Sequence, residues 1–525
     1  MGFSKIVLSA LSKAVRASIG IAATSVIGVA IAAPAETTRV IVAFKPGAAS
    51  QARAAVAVAR GQVKHEIFGM DAFAIEVPTN ALKGLEHNPN IEYIEEDAKR
   101  YAYSGATPST GSPYLAGQLV PYGIKMVQAD QLPNGDAFAG NRKVCIIDSG
   151  YDLQHEDLNG NSVTGEYDSG TGWWYTDENH HGSHVAGTIA AINNSGVGVV
   201  GVNASKMLKL HIVKVFNAAG WAYSSSLTTA ANKCGAAGAN VISMSLGGTR
   251  KVRTEDRAFA SLASKGVLSI AAAGNDGTTA LSYPAGYTSV MSVAALDENK
   301  QWATFSQFNT KVEIAAPGVN VLSTVPMGAG SASALTVGGT TYSPGGMDGS
   351  PKVTATAPLA DFGLGNAVNG AMAGKVCLIA RGTVDFATKV SNCQASGGVG
   401  AVVYNNVAGG YGGTLGTTAT TIPSVTASDT DGAAMKLQLG QDATVTVTAT
   451  HYAYFDGTSM ATPHVSAVAA LVWSYFPGCT AAQIRSTLTK SAEDLGAPGR
   501  DTKFGYGLVR SRAAFDRINT LGCNN

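Results

Sequence analysis

A chain of 525 residues that is 45% hydrophobic and only 14% charged is an ordered globular protein too long for a single core. Its formal net charge of +1 gives no reason to expect nucleic acid or an anionic membrane surface as a partner. Six cysteines with no CxxC or Cys/His spacing fit an oxidising compartment and argue against structural zinc.

Taken in chain order, residues 1–35 read as an export signal. Lys5, Lys13 and Arg16 precede the apolar run "ASIGIAATSVIGVAIAAPA", which ends in small residues suited to cleavage near Ala32 to Ala35. That run is short for a membrane span and diluted by Gly, Ser and Thr. No later segment is apolar enough to cross a bilayer, so a soluble, secreted protein is expected.

Residues 38–97 read as a small unit: strands at "TRVIVAFKPG", "DAFAIEVP" and "IEYIEED", and a helix at "ASQARAAVAVARG". The Gly/Pro/Ser/Thr stretch "SGATPSTGSPYLAG" then reads as a linker open to proteolysis. From Val120 onward, short continuous apolar runs ("KVCIIDSG", "LKLHIVKVF", "NVISMSLGG", "VLSIAAAGN") alternate with helical segments ("SSLTTAANKCGAAG", "TEDRAFASLASKG"). The pattern predicts an α/β fold: a parallel sheet with helices on both faces and a site at the carboxyl ends of the strands. Between Ser331 and Thr450 the chain becomes glycine- and threonine-rich and poor in charge, and predicts a mostly-β insert. The α/β pattern resumes at "FDGTSMATPHVSAVAALVWSYF", a long helix. The cysteines fall in three zones. Many connectivities are open, and pairing within each zone (Cys145–Cys234, Cys377–Cys393, Cys479–Cys523) is expected because it closes loops inside one folding unit.

Three element ends carry candidate chemistry. "IIDSG" ends an apolar strand on Asp148. "HHGSHVAGT" begins a helix near His181, and the i, i+4 spacing of His180 and His184 also raises a metal-site reading. That reading lacks an HExxH arrangement and a clear third ligand. "DGTSMATPH" begins a helix at Ser459, with Pro463 expected in its first turn, where amides have no intrahelical acceptor. Each feature alone is ordinarily structural. Together they supply a hydroxyl nucleophile, an imidazole to take its proton and a carboxylate to hold the imidazole.

In these three signatures the chain resembles a subtilisin-type serine endopeptidase (a subtilase), with Ser183 where threonine is usual. The resemblance implies Asp148 as orienting carboxylate, His181 as general base and then acid, Ser459 as nucleophile, and Asn275 of "AAAGND" as oxyanion donor. His184 is then expected to be a buried structural residue and His180 a loop residue at the cleft. The resemblance further implies a specificity pocket walled by Ser245, Leu246 and Gly247 and by Ala272 and Gly274. Ser282 lies at its floor, and an edge segment bearing Tyr223 pairs with extended peptide. Protein and peptide substrates with apolar or aromatic residues before the cleaved bond are expected. A structural calcium ion is implied at the side chains of Gln118, Asp157 and Asn194 and the carbonyls of Ile192, Val197 and Val199.

Residues 36–103 resemble the inhibitory propeptide of the family, cut after Tyr103 or trimmed as far as Ala116 or Gly117. Residues 118–525 would be the catalytic domain, interrupted at 331–450 by an insert similar to a protease-associated (PA) domain in "GKVCLIARGTVDFATKVSNCQASGGVGAVVYNN". The insert's role is open between substrate capture, restriction of cleft access and a passive lid. A monomer is expected, with its own propeptide as intramolecular inhibitor and chaperone. The alternative is a catalytically dead relative that binds through its insert.

Overall fold

The computed structural model describes residues 36–102, 105–107, 118–132, 142–194 and 196–524. The leader at 1–35, Tyr103, Ser104 and residues 108–117 of the linker lie outside the described residues.

The strand Lys143–Asp148 is the reference for the main body. Its alternate side chains enter two separate cores: Val144 and Ile146 pack on one face, Cys145 and Ile147 on the other. Burial on both faces explains the unbroken apolar run. The full sheet holds seven strands in the order 312–317, 290–296, 268–272, 241–244, 143–148, 209–214, 162–165, and every pairing in it is parallel. The first core is covered by the helices His181–Ala190 and Thr458–Tyr475, the second by Ser224–Ala236 and Arg253–Ser264. This is the expected α/β sheet with helices on both faces.

Residues 37–96 form a separate antiparallel sheet in the order 62–66, 72–78, 37–44, 91–96, with the helix Ala49–Val58 against it. One face holds a core of its own around Val42, Phe73 and Ile75. Ile41, Ala43 and Ala72 of the other face share a cluster with Val252 of the main body. The strongest links between the two are carboxylates. The helices 224–236 and 253–264 have no side-chain cap from their own N-cap residues. Asp97 accepts from Ser225 N at 2.9 Å and Ser225 Oγ at 2.7 Å, and Glu95 from Thr254 N at 2.8 Å and Arg253 N at 2.6 Å. Each carboxylate thus takes orphan amides at the positive end of a helix in another unit.

The insert is bracketed by one antiparallel pair, in which Gly330 faces Thr450. Its seven-stranded sheet is half antiparallel and half parallel. The strands 376–380, 400–404 and 424–427 run parallel, and the helices Phe386–Ala395 and Asp429–Lys436 accompany them. The insert therefore carries more α/β character than the expected mostly-β body. All three cysteine pairs form as expected, with Cα separations of 5.6, 6.2 and 5.4 Å. Cys145–Cys234 ties the Asp148 strand to the helix 224–236. Among the described residues, no helix is long and apolar enough to cross a membrane.

Candidate active site

Asp148 is the last residue of its strand and is wholly buried. Its Oδ1 accepts from Ser149 N at 2.8 Å and lies 2.7 Å from His181 Nδ1, which donates to it. His181 opens its helix, and the approach depends on a glycine pair: a Cβ on Gly182 would stand 2.3 Å from Gly150 O. The carboxylate fixes the imidazole tautomer, so the buried Nε2 is the bare acceptor, and among the described residues it has no hydrogen-bond partner.

Ser459 is the second residue of the helix Thr458–Tyr475. Its Oγ donates to the carbonyl of Ser245 at 2.8 Å. Pro463 is the helix's sixth residue, past the first turn where it was expected. Its missing N–H would have met the carbonyl of Ser459. Ser245 Oγ donates to that carbonyl instead, at 2.7 Å, so the proline is tolerated because a neighbouring strand replaces the lost rung.

Asn275 Oδ1 accepts from Thr458 N at 2.9 Å and Thr458 Oγ1 at 2.8 Å. With its oxygen committed, the amide group has a fixed orientation and its Nδ2 is the free end. Gly274 N donates to Thr458 Oγ1 at 3.2 Å, and a side chain at Gly274, whose φ is +109°, would reach within 2.3 Å of Gln307. Ala272 ends the strand 268–272, and Ser282 is buried just before Tyr283, which bridges to Gly248.

The chain itself crosses this site. Lys99–Ala102 forms the middle strand of a three-stranded antiparallel sheet. Tyr223, Ala222 and Trp221 pair on one side, with Leu246 and Gly247 on the other. Gly105–Thr107 then pairs antiparallel with Tyr454–Asp456, the strand that leads into the Ser459 helix. The peptide is held on both sides of positions 103 and 104, which lie outside the described residues.

Of the three neighbouring histidines, His184 is fully buried and stacks on Phe455, with ring centroids 4.4 Å apart. Its Nε2–H is shared between Val321 O at 3.0 Å and Ala453 O at 3.1 Å, and burial lowers its pKa to about 3. With one ring nitrogen on carbonyls here and His181 Nδ1 on Asp148, the cluster does not present a ligand face. His180 is a half-buried loop residue in the left-handed region, φ 70°.

Sequence reasoning missed Asp177 and Ser149. Asp177 accepts from His180 N at 2.9 Å, Ser183 N at 2.7 Å and Ser149 Oγ at 2.7 Å, while Ser149 Oγ accepts from Gly182 N at 2.8 Å. Together they take the first amides of the His181 helix, so the helix's partial positive charge faces a carboxylate. An Asp three residues before the N-cap position His180 was the available signal.

Around Gln118, three oxygens converge on its amide nitrogen: Ile192 O at 2.8 Å, Asn194 Oδ1 at 2.9 Å and Val199 O at 3.0 Å. Asp157 lies beside them, bonded to Asn194 Nδ2 and Val199 N at 2.8 Å each, and burial raises its pKa. Five of the six expected positions come together, whereas the carbonyl of Val197 is not among the converging oxygens. The donor set is one carboxylate, two side-chain amides and carbonyls. It suits a hard cation, and turning the Gln118 amide over would give the ion a further oxygen.

The fold and the site define a class, a subtilisin-like α/β body with Asp, His and Ser at the ends of one strand and two helices. The chain belongs to the subtilase family, whose model matches residues 140–357 and 323–507. It is 38% identical over 269 residues to the M-protease of Shouchella clausii, covering 50% of this chain and 65% of that protein. It is 35% identical over 272 residues to subtilisin NAT of Bacillus subtilis subsp. natto, covering 51% of this chain and 67% of that protein. Among solved structures it resembles the psychrophilic subtilisin-like protease Apa1 from an Antarctic Pseudoalteromonas at 44% identity and a TM-score of 0.59. That match covers 77% of this chain and 99% of Apa1. Fervidolysin from Fervidobacterium pennivorans shares the fold at 24% identity and a TM-score of 0.59, covering 92% of this chain and 61% of that one.

Proposed function

We propose that the protein is a secreted serine endopeptidase made as a self-processing zymogen. One observation carries the reading: Lys99–Ala102 is paired on both edges with 221–223 and 246–247, and Gly105–Thr107 is paired with the strand that leads into the Ser459 helix. Main-chain pairing of this kind holds a substrate without reading its sequence. Family membership and the Asp148–His181 pair support the same conclusion.

In the reaction, Ser459 Oγ leaves the Ser245 carbonyl for His181 Nε2, gives up its proton there and attacks the substrate carbonyl carbon. Negative charge gathers on the carbonyl oxygen, where Asn275 Nδ2 donates. Imidazolium returns the proton to the leaving amine, the C–N bond breaks, and an acyl-enzyme remains. Water, deprotonated by the same imidazole, then releases the acid and restores Ser459. The pocket between 245–247 and 272–274, closed by Ser282, takes an apolar or aromatic side chain before the cleaved bond.

Residues 36–103 act as propeptide and chaperone, completing two helices that lack caps, with first cleavage between positions 103 and 104. The insert at 331–450 is a PA-like domain. Gln118, Asp157, Asn194 and the Ile192 and Val199 carbonyls would hold a structural calcium ion, which would offset the Asp157 charge. The mature enzyme acts as a soluble monomer.

The test is Ser459→Ala beside wild type, on casein and with a fluorophosphonate probe. Wild type should self-process, take the label and cleave casein, and the variant should remain full-length, unlabelled and inert. Casein cleavage by Ser459→Ala would sink the serine mechanism.

A further inference from the structure

The residue of the threaded segment that enters the main body is Arg100. It faces Ala222, and its side chain is wholly buried. Its Nε donates to Glu255 Oε1 at 3.3 Å and its Nη2 to Glu255 Oε2 at 2.5 Å. Nη2 also reaches Arg250 O at 3.0 Å, and Nη1 reaches Lys99 O at 3.1 Å. Glu255 stands in the first turn of the helix 253–264 and is itself wholly buried. Among the described residues both of its hydrogen bonds come from Arg100. Gly248, whose added Cβ would lie 3.2 Å from Arg100 Nη1, leaves room for the guanidinium. Tyr287, with its hydroxyl tied to Val252 N and O at 3.0 Å each, closes the recess.

This arrangement has a consequence for whatever peptide follows. When residues 36–103 depart, Arg100 leaves with them, and Glu255 stays behind in the main body. A water-filled recess can hold a carboxylate. A substrate side chain that enters displaces that water, so it must pair with the charge, seal it in unpaired or force it to take up a proton. Burying an uncompensated carboxylate is far costlier than losing one apolar contact. A guanidinium matches the carboxylate through two parallel bonds, whereas an ammonium meets it as a point charge. Discrimination therefore comes from both the attraction to a cation and the penalty on everything else.

We propose that Glu255 makes the mature enzyme selective for peptides with arginine, and second lysine, at the fourth residue before the cleaved bond. This rests on the endopeptidase reading above and on cleavage between positions 103 and 104. The preference is then an addition to the apolar or aromatic requirement next to the bond. It gives the enzyme a two-point signature that the Arg-Tyr-Ala-Tyr stretch at 100–103 already satisfies. Glu255 acts on binding and positioning, since it touches the substrate three residues before the one whose carbonyl reacts.

The experiment uses mature enzyme and internally quenched peptides built on Xaa-Tyr-Ala-Tyr-Ser-Gly-Ala, with Xaa as Arg, Lys, Gln, Leu or Glu. The expected result is that kcat/KM for Arg exceeds that for Leu by about 30-fold or more, with Lys between them and Glu poorest. Glu255→Gln should flatten the series, and Glu255→Leu should favour the Leu peptide. Because Glu255→Leu also unpairs Arg100 in the precursor, it is made both alone and with Arg100→Leu, and the double variant should mature more readily than either single variant. Equal cleavage of the Arg and Leu peptides by wild type would overturn the proposal and needs no variant to observe. An arginine preference that survives in Glu255→Leu would overturn the assignment to Glu255. An enzyme that labels with fluorophosphonate and cuts casein yet shows a flat series separates failure here from failure of the endopeptidase reading. Absence of both labelling and cleavage overturns the two together.

Discussion

Ser245→Ala should destabilise the main body by an amount that depends on Pro463. The carbonyl of Ser459 is buried in the helix 458–475 and loses its intrahelical donor because residue 463 is proline. Ser245 Oγ, wholly buried and 2.7 Å away, supplies the missing proton. Removing that hydroxyl takes a hydrogen bond from a buried acceptor, which costs about 1–3 kcal/mol. For a body of this size the melting temperature should fall by roughly 2–6 °C. In a Pro463→Ala background the backbone N–H returns and closes the ordinary i→i−4 rung, so the same Ser245→Ala change should cost less than about 1 kcal/mol. A double-mutant cycle on thermal unfolding, with all four proteins blocked by fluorophosphonate at fixed calcium, should therefore show coupling of about 1–2 kcal/mol. Equal losses in the two backgrounds would refute the idea that the serine replaces the proline's missing rung. Catalysis itself should change little, because the Ser245 carbonyl that accepts from Ser459 Oγ is backbone and survives the substitution.

Asn275→Ala should lower kcat by about 10²- to 10³-fold with little change in KM, since the lost amide acts on charge that exists only in the transition state. A matching rise in KM would point to ground-state binding instead. Incubation with a calcium chelator should accelerate thermal inactivation over minutes to hours, reversed by calcium and not by zinc. An unchanged half-life would remove the ion from the Gln118–Asp157 cluster. His65 of the N-terminal unit is held below its ordinary pKa of 6.5, chiefly by burial, with Asp97 pulling it up and Arg39 pushing it down. Attachment therefore favours the neutral ring. The contribution is complete above the free value of about 6.5 and is lost as pH falls through that value towards the lowered one. Activity should emerge faster at pH 5.5 than at pH 7.5 after self-cleavage, and His65→Leu, which leaves the mature enzyme unaltered, should abolish the difference. Equal acceleration in His65→Leu would show that another group senses the acid.

The sheet was legible where burial on two faces forces unbroken apolar runs, as at Lys143–Asp148, Lys209–Lys214 and Leu268–Ala272. It was not legible at Val290–Leu296 and Val312–Pro317, where small alanines supply much of the packing and carry little strand preference. The Asp148, His181 and Ser459 signatures stood out because each lies at an element end with a fixed local sequence. Their supports did not. Thr458 holding Asn275, Asp177 capping the His181 helix and Ser245 answering Pro463 all depend on segments that meet only in the folded chain. The insert was legible in part: its glycine and threonine content suggested a mostly-β body, while the helices Phe386–Ala395 and Asp429–Lys436, short and capped by Asp385 and Ser428, were not foreseen.

Arg100 and Glu255 show why such partnerships escape a linear reading. Each sits among charged neighbours, in "EEDAKRYAY" and "RKVRTEDRAF", where a solvated face is the ordinary interpretation. The two lie 155 residues apart, and only the fold reveals that both side chains have lost all contact with water. The caps at Asp97 and Glu95 are a different case. When the N-terminal unit leaves, the amides of residues 224–225 and 253–254 return to water, which can satisfy neutral donors at helix ends at modest cost. A carboxylate in a closed recess cannot turn to water once an apolar side chain covers it, and must take up a proton or stay unpaired. The two kinds of contact made by one departing segment therefore leave unequal marks on the body that remains. Under the proposed release, the caps would set how firmly the segment is held, and the buried charge would set what can replace it.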